Sequence, residues 1–176
     1  MRRRCCVAFD LATVARGRVW KFGDSVETDA INPYYKYPTM EELKQHTMEA
    51  YRPEFPREVK RGDILVAGRN FGCGSSRPGV VLMEVGIAAI VVESVSRLFF
   101  RNSIARAMPI LQAPGITSIV EDGETLEVDY PNGIVRNHAN GKSVPLRPFP
   151  PLIEEILASG GLPEFAYQRF QRENAG

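Results

Sequence analysis

Three continuous apolar runs in the middle of the chain constrain its fold most strongly. They read ILVAG at residues 64–68, IAAIVVES at 87–94 and MPILQ at 108–112. A strand with apolar residues at consecutive positions is covered on both faces, which is typical of a parallel sheet flanked by other layers. Between the first two runs, GVVLMEVG at 79–86 is apolar on every side and predicts a buried helix. These patterns predict an α/β fold with a mixed sheet.

The rest of the chain predicts one domain with an accessory β layer. Residues 1–15 are interpreted as a flexible N-terminal extension, and residues 16–176 as a single domain. Thr39 and Glu42 have the spacing of a capping box, which starts a helix over residues 40–51. After residue 114, short strands are separated by the turn dipeptides Asp122-Gly123, Asn132-Gly133 and Asn140-Gly141. A C-terminal helix then ends at Gly160-Gly161 and precedes a short final helix.

Composition excludes several classes of function. The chain has 22 Lys and Arg against 21 Asp and Glu, which gives no electrostatic case for binding nucleic acid or an anionic membrane. No window approaches the roughly 18 apolar residues of a membrane span, and Asp10 interrupts the apolar start, so we do not expect a signal peptide. Three cysteines, Cys5, Cys6 and Cys73, make a poor disulfide framework. We therefore expect a cytoplasmic protein.

The segment NFGCGSSRPG at 70–79 carries the candidate chemistry. It connects a strand to a helix, with Pro78 expected in the first helical turn. Backbone N–H groups at such a junction bind anions, and Arg77 adds a fork suited to carboxylate or phosphate. The spacing matches neither a P-loop nor a dinucleotide fingerprint. Three interpretations compete: a structural turn, a cysteine nucleophile at Cys73, or a cradle for an anionic ligand.

The two histidines of the chain give the cysteine interpretation little support. His46 and His138 lack sequence partners that would orient either as a base. The cysteines and histidines also lack the spacing of a metal or iron–sulfur site, so no metal is expected in this chain. A serine without a histidine becomes a base only where donors stabilise its alkoxide, which backbone N–H groups and Arg77 could do. The electrophile that such chemistry requires is missing.

Four stretches together resemble the small subunit of 3-isopropylmalate dehydratase and its relatives in the aconitase family. They read GRVWKFGDSVETDAINP, PREVKRGDILVAGRNFGCGSSR, GIAAIVVESVSRLFFRNSIARAMPIL and EILASGGLPEF, and the resemblance spans residues 17–167. It implies a swivelling β/β/α three-layer domain. It also implies a large-subunit partner that carries a [4Fe-4S] cluster, and a hydroxy-acid substrate that is isomerised by dehydration and rehydration. The missing electrophile would then be the partner's cluster iron, acting as a Lewis acid.

The resemblance also assigns roles to site residues. The first serine of Gly-Ser-Ser-Arg is the family's base, which makes Ser75 the candidate catalytic residue. Ser76 and Arg77 take the role of binding the substrate carboxylate. The Thr-Asp pair lines the site in the family, which adds Thr28 and Asp29 as candidate substrate contacts.

This sequence departs from the family pattern at two places. Pro78-Gly79 replaces the Glu-His or Glu-Gln that follows the arginine in most members. The loop that sets substrate choice in the family reads PYYKY at 33–37 and is about two residues shorter. Lys36 is the natural replacement for the family's loop arginine, although an ammonium does not grip a carboxylate bidentately. The substrate therefore stays open between isopropylmalate and a homoaconitate-, dimethylmalate- or citrate-like acid, and a non-catalytic binding or regulatory module is the alternative from another class.

Overall fold

Within residues 11–174, which the computed structural model describes, seven strands form one mixed sheet. The strands are β1 (Val14–Lys21), β2 (Ile64–Ala67), β3 (Ala89–Val92), β4 (Ile110–Gln112), β5 (Thr125–Asp129), β6 (Ile134–Asn137) and β7 (Ser143–Pro145). Their spatial order is β4-β3-β2-β1-β5-β6-β7. Strands β1 to β4 run parallel, whereas β5, β6 and β7 add antiparallel neighbours. The predicted α/β fold with a mixed sheet and an accessory β layer is confirmed.

Eight helices accompany the sheet in the described part of the chain. They are α1 (Thr28–Ile31), α2 (Met40–His46), α3 (Phe55–Glu58), α4 (Val80–Glu84), α5 (Arg97–Ile104), α6 (Ile116–Ile119), α7 (Pro151–Ala158) and α8 (Leu162–Asn174). The capping box of Thr39 and Glu42 is confirmed at the start of α2. That helix ends at His46, earlier than predicted, because Thr47 leaves the helical region and Met48 takes a positive φ of 61°.

The two faces of the parallel strands are buried against different layers. Every residue of β2 and β3 is buried, as their continuous apolar runs predict. Leu65 and Ile90 face a core that includes residues of α2, α3 and α4. On the opposite face, Ile64 and Val91 share a core with residues of β5 and β6 and of α6 and α7. Because the antiparallel strands cover the parallel ones in this way, the sheet curls and the layers stack as β/β/α.

Strand β1 begins two residues inside the predicted N-terminal extension. Strand β1 begins at Val14, which pairs with Asp129, and Ala15 pairs with Val128. These two residues therefore belong to the sheet and not to the predicted extension at 1–15. They were missed because backbone pairing with β5 holds them in the sheet. The interrupted pattern of apolar residues before Arg16 does not reveal this pairing. Residues 1–10, with Cys5 and Cys6, lie outside the described residues.

Candidate active site

The glycine-rich segment lies at the carboxyl ends of three parallel strands. It follows β2 directly, and Cys73 forms a bridge with Glu27, in the chain that follows β1. Phe71 forms a second bridge with Val95, which follows β3. The carboxyl edge of parallel strands is where open α/β sheets place their ligand sites. The topology therefore brings the candidate residues of separate segments to one edge.

Two of the glycines serve packing within the protein. A Cβ at Gly72, whose φ is +72°, would lie 2.2 Å from Phe99 Cγ. A Cβ at Gly79 would lie 3.0 Å from side-chain atoms of both Phe99 and Ile31. Gly72 and Gly79 are therefore required for packing and not for the close approach of a ligand to the backbone. Gly74, which is exposed and has a φ of +99°, stays available for that role.

Helix α4 begins later than predicted. Its N-cap is Gly79, so Pro78 precedes the cap and does not lie in the first turn. Neither Ser75 nor Ser76 caps the helix, because both lie several residues before it. The stretch 75–78, the serine segment, is instead held by side chains from other parts of the chain.

Ser75 contacts Thr28, the first residue of α1. The Ser75 N–H donates to Thr28 Oγ1 over 2.8 Å, and the two hydroxyl oxygens lie 2.9 Å apart. The Thr28 N–H in turn donates to the Cys73 carbonyl over 2.8 Å. Thr28 is fully buried, whereas Ser75 is partly exposed. The hydroxyl of Ser75, the base that the resemblance predicts, therefore contacts the buried hydroxyl of Thr28.

Arg77 and Asp29, which were predicted as separate substrate contacts, pair with each other. Arg77 Nη1 donates to Asp29 Oδ1 over 3.3 Å, and the side chains keep 37% and 53% of their surface exposed. The guanidinium carbon also lies 5.8 Å from the centre of the Tyr34 ring. One guanidinium nitrogen is used in this ion pair, and no other hydrogen bond of the Arg77 side chain is seen among residues 11–174, so further N–H groups can donate to a second anion.

Two asparagines that the sequence did not single out hold the serine segment. Asn102 of α5 donates its side-chain amide to the Ser76 carbonyl over 2.6 Å. Asn32 donates to the Pro78 carbonyl over 3.3 Å, and its buried Oδ1 has no hydrogen-bond partner among residues 11–174. Both bonds join residues far apart in sequence, so no local pattern could have revealed them.

Lys36 is the one predicted site residue that the structure does not bring to this cluster. It is exposed, and its Nζ lies 5.7 Å from the centre of the neighbouring Tyr35 ring. Between residues 11 and 174, no hydrogen bond or ion pair joins its side chain to Ser76 or Arg77. The far end of its loop is fixed by Tyr37, whose ring stacks on His46 at 3.7 Å.

Both histidines contact a glutamate, and within residues 11–174 neither is hydrogen-bonded to Cys73. His46 contacts Glu49 over 2.8 Å, and His138 contacts Glu127 over 2.9 Å. The Cys73 thiol instead lies 3.4 Å from the Ser25 carbonyl. In the part of the chain that the structure describes, no group of three His, Cys, Asp or Glu side chains could hold a metal ion. Of the three interpretations, the cysteine nucleophile is therefore the one that the contacts of the described residues do not support.

Comparison with known proteins places this chain in a family. A model of the aconitase C-terminal domain matches residues 18–114. The 3-isopropylmalate dehydratase small subunit 1 of Archaeoglobus fulgidus is 47% identical over 154 residues, which cover 85% of this chain and 95% of the relative. The methanogen homoaconitase small subunit of Methanothermobacter thermautotrophicus is 44% identical over 153 residues, which cover 85% and 88% of the two chains.

A solved structure agrees with these sequence matches. The crystal structure of a 3-isopropylmalate dehydratase from Methanocaldococcus jannaschii has a TM-score of 0.83 and 35% identity, and covers 93% of this chain and 100% of its own. The fold and the site define a β/β/α domain with two serines and an arginine at the carboxyl edge of its parallel strands. The chain belongs to the aconitase C-terminal domain family, together with the small subunits of 3-isopropylmalate dehydratase.

Proposed function

We propose that the chain is the small subunit of a heteromeric hydro-lyase of the 3-isopropylmalate dehydratase type. The enzyme would isomerise a hydroxy dicarboxylic acid by dehydration and rehydration, in leucine biosynthesis if the acid is isopropylmalate. The observation that carries the proposal is the cluster of Ser75, Ser76 and Arg77 at the carboxyl edge of the sheet, in a chain 47% identical to a dehydratase small subunit. The name of the same relative, a small subunit, supports a large-subunit partner. A cytoplasmic location is part of the proposal.

The residues of the site divide the work between base and binding. Ser75 takes the carbon-bound proton of the substrate, and its partly exposed hydroxyl is accessible for that step. Arg77 and Ser76 bind a substrate carboxylate, for which the free guanidinium donors provide the charge-assisted bonds. Asp29 holds the guanidinium edge that faces it over 3.3 Å and so orients the rest of the fork. Lys36 lies outside this cluster, and its role as a substrate contact rests on the family resemblance alone.

The electrophile of this chemistry belongs to the partner chain in our proposal. A [4Fe-4S] cluster on the large subunit would supply a Lewis acid for the leaving hydroxyl group. The membership of the aconitase C-terminal domain family supports this assignment. No helix among these residues is long and apolar enough to cross a membrane, and the balanced charge of 22 basic against 21 acidic residues supports no role for nucleic acid.

Reconstitution with the cognate large subunit tests the proposal. The purified chain is expected to be inactive alone and to restore turnover when the cluster-loaded large subunit is added. Turnover is followed for a panel of 2- and 3-hydroxy acids that includes isopropylmalate. Restored turnover of one acid supports the hydro-lyase. Binding of the large subunit without turnover of any acid would contradict it and would favour a binding or regulatory module, with Pro78-Gly79 as its distinguishing feature.

A related hydratase is the second candidate. The small subunit of a homoaconitase at 44% identity supports it, because the family's small subunits serve more than one enzyme. Tyr34, Tyr35 and Lys36 are exposed in the loop whose sequence departs from the pattern that the resemblance implies. The acid with the highest kcat/KM in the panel discriminates the two candidates.

A further inference from the structure

Thr28 occupies a position from which it cannot contact a substrate directly. It is fully buried as the first residue of α1, and its N–H is used by the Cys73 carbonyl at 2.8 Å. The resemblance made Thr28 a substrate contact through its place in the Thr-Asp pair. Its burial beneath Ser75 points to a different role.

The hydrogen bonds of the Thr28 hydroxyl reveal its orientation. A threonine hydroxyl has one hydrogen to donate and two lone pairs that accept. One lone pair accepts the Ser75 N–H over 2.8 Å. For the hydrogen, the described residues offer one acceptor, Ser75 Oγ at 2.9 Å. A buried hydroxyl hydrogen without an acceptor is costly, so the hydrogen points to Ser75 Oγ.

This orientation leaves the Ser75 hydroxyl hydrogen free to point away from the protein interior. If Ser75 donated to Thr28 instead, the buried Thr28 hydrogen would have no acceptor and the partly exposed Ser75 hydroxyl would be directed inward. A serine that acts as a base must first lose its hydrogen, and the resulting alkoxide needs donors. Thr28 is placed to be one of them.

We propose that Thr28 is a positioning residue whose hydroxyl donates to Ser75 Oγ, fixes its direction and stabilises its alkoxide. The inference rests on the proposed function, in which Ser75 is the base. The Ser75 hydroxyl first gives its proton to solvent, and the alkoxide oxygen then takes the substrate's carbon-bound proton. The electron pair of the broken C–H bond stays on the substrate and forms the double bond as the hydroxyl group leaves. Thr28 keeps its own proton and forms no covalent bond. The charged neighbours are Glu27 and Asp29 on the side of α1 and Arg77 on the side of the serine segment.

Three variants of Thr28 separate its hydroxyl from its shape. Thr28→Val keeps the branched side chain but replaces the hydroxyl with a second methyl group. Thr28→Ala removes the hydroxyl without adding that methyl group. Thr28→Ser keeps the hydroxyl. In the reconstituted enzyme, removal of the donor is expected to lower kcat by about 100-fold, with a smaller change in KM. Thr28→Ser is expected to keep kcat within about threefold, since the donor stays.

A pH profile provides a readout that a purely structural role would not change. Loss of the donor raises the pKa of the Ser75 hydroxyl, so the rising limb of kcat shifts to higher pH in Thr28→Val and Thr28→Ala. In amide hydrogen exchange of the full chain, the Ser75 N–H is expected to exchange faster in both variants and to stay protected in Thr28→Ser.

Thr47→Val is the matched control. Thr47 is also fully buried, and its hydroxyl donates to the Ile31 carbonyl over 2.7 Å without touching Ser75. We expect a lower Tm with an unshifted pH profile. A Thr28→Val or Thr28→Ala enzyme with wild-type kcat and profile, beside an inactive Ser75→Ala enzyme, would overturn the inference and leave the proposed function intact. An equal loss of kcat in Thr28→Ser would also overturn it. An active Ser75→Ala enzyme would remove the proposed base and the inference together.

Discussion

The side-chain amide of Asn102 donates to the backbone carbonyl of Ser76 over 2.6 Å. This bond fixes the serine segment to α5, whereas Thr28 fixes it to α1 through the Ser75 N–H. The segment has no regular secondary structure of its own, so side-chain hydrogen bonds hold it in place of backbone ones. The positions of Ser75 and Ser76 therefore depend on two helices that lie far from them in sequence.

Replacing Asn102 by alanine is expected to lower kcat more than it lowers stability. The Ser76 carbonyl lies at an exposed residue and can turn to water, so we expect a loss of about 1 kcal/mol in the free energy of unfolding. Misplacement of the adjacent base is expected to cost about 10- to 100-fold in kcat. Steady-state kinetics and chemical denaturation measure the two effects. Asn174→Ala, at the exposed end of α8, is the control, and an unchanged kcat in Asn102→Ala would contradict the prediction.

Arg77→Lys is expected to weaken substrate binding while the ammonium keeps the charge. A guanidinium binds a carboxylate through a planar fork, which lysine cannot reproduce. We expect KM to rise about 10-fold or more, since a hydrogen bond to a charged group contributes about 1.5–3 kcal/mol. Arg101→Lys, on the exposed face of α5, is the control. An Arg77→Lys enzyme with wild-type KM would remove Arg77 from the substrate contacts.

Glu93→Gln tests a carboxylate that holds the start of α6. Burial raises the pKa of Glu93, but hydrogen bonds from the Thr117 hydroxyl and from the Gly115 and Thr117 N–H groups outweigh it, so the pKa lies below its usual range. Its stabilisation is therefore present above the unfolded pKa of about 4.3 and is lost as the pH falls through the folded value. We expect Glu93→Gln to cost about 1–3 kcal/mol at neutral pH.

The pH dependence supplies the check on Glu93. The difference in unfolding free energy between wild type and Glu93→Gln should shrink when the pH is lowered below the unfolded value, because wild type loses the charge as well. Glu58→Gln, at an exposed site on α3, is the control. A difference that grows as the pH falls would show that the sign is wrong.

Gly72→Ala is expected to be strongly destabilising. The new methyl group would lie 2.2 Å from Phe99 Cγ, and Phe99 is fully buried, so the ring cannot move away without a cavity elsewhere. Overpacking costs about 1–3 kcal/mol, and the positive φ adds about 1–2 kcal/mol. Gly133→Ala has a comparable φ of +65° with nothing within 4 Å, so it isolates the backbone cost. Equal losses of stability in the two variants would refute the packing explanation.

The sequence predicted the parallel core well because its signals are local. Continuous apolar runs identified β2 and β3, whose residues are all buried. The capping box at Thr39 fixed the start of α2. The start of β1 was missed because Val14 is held by pairing with β5, a contact between residues more than a hundred positions apart.

The sequence predicted which residues belong to the candidate site, but not the contacts that hold them in place. Ser75, Arg77 and Asp29 were identified through the family resemblance, and the structure brings them together at one edge of the sheet. The contact of Ser75 with the buried Thr28 hydroxyl and the bond from Asn102 to the Ser76 carbonyl join segments that are distant in sequence. Periodicity and motif spacing carry no information about such contacts.

Turnover by Ser75→Ala in the reconstituted enzyme tests the central claim most directly. Because the change removes the base, kcat is expected to fall by about 100-fold or more, with KM close to that of wild type. Ser143→Ala, on the exposed strand β7, is the matched control and should keep full activity. A Ser75→Ala enzyme that retains wild-type kcat on the same acid would contradict the assignment of Ser75 as the base.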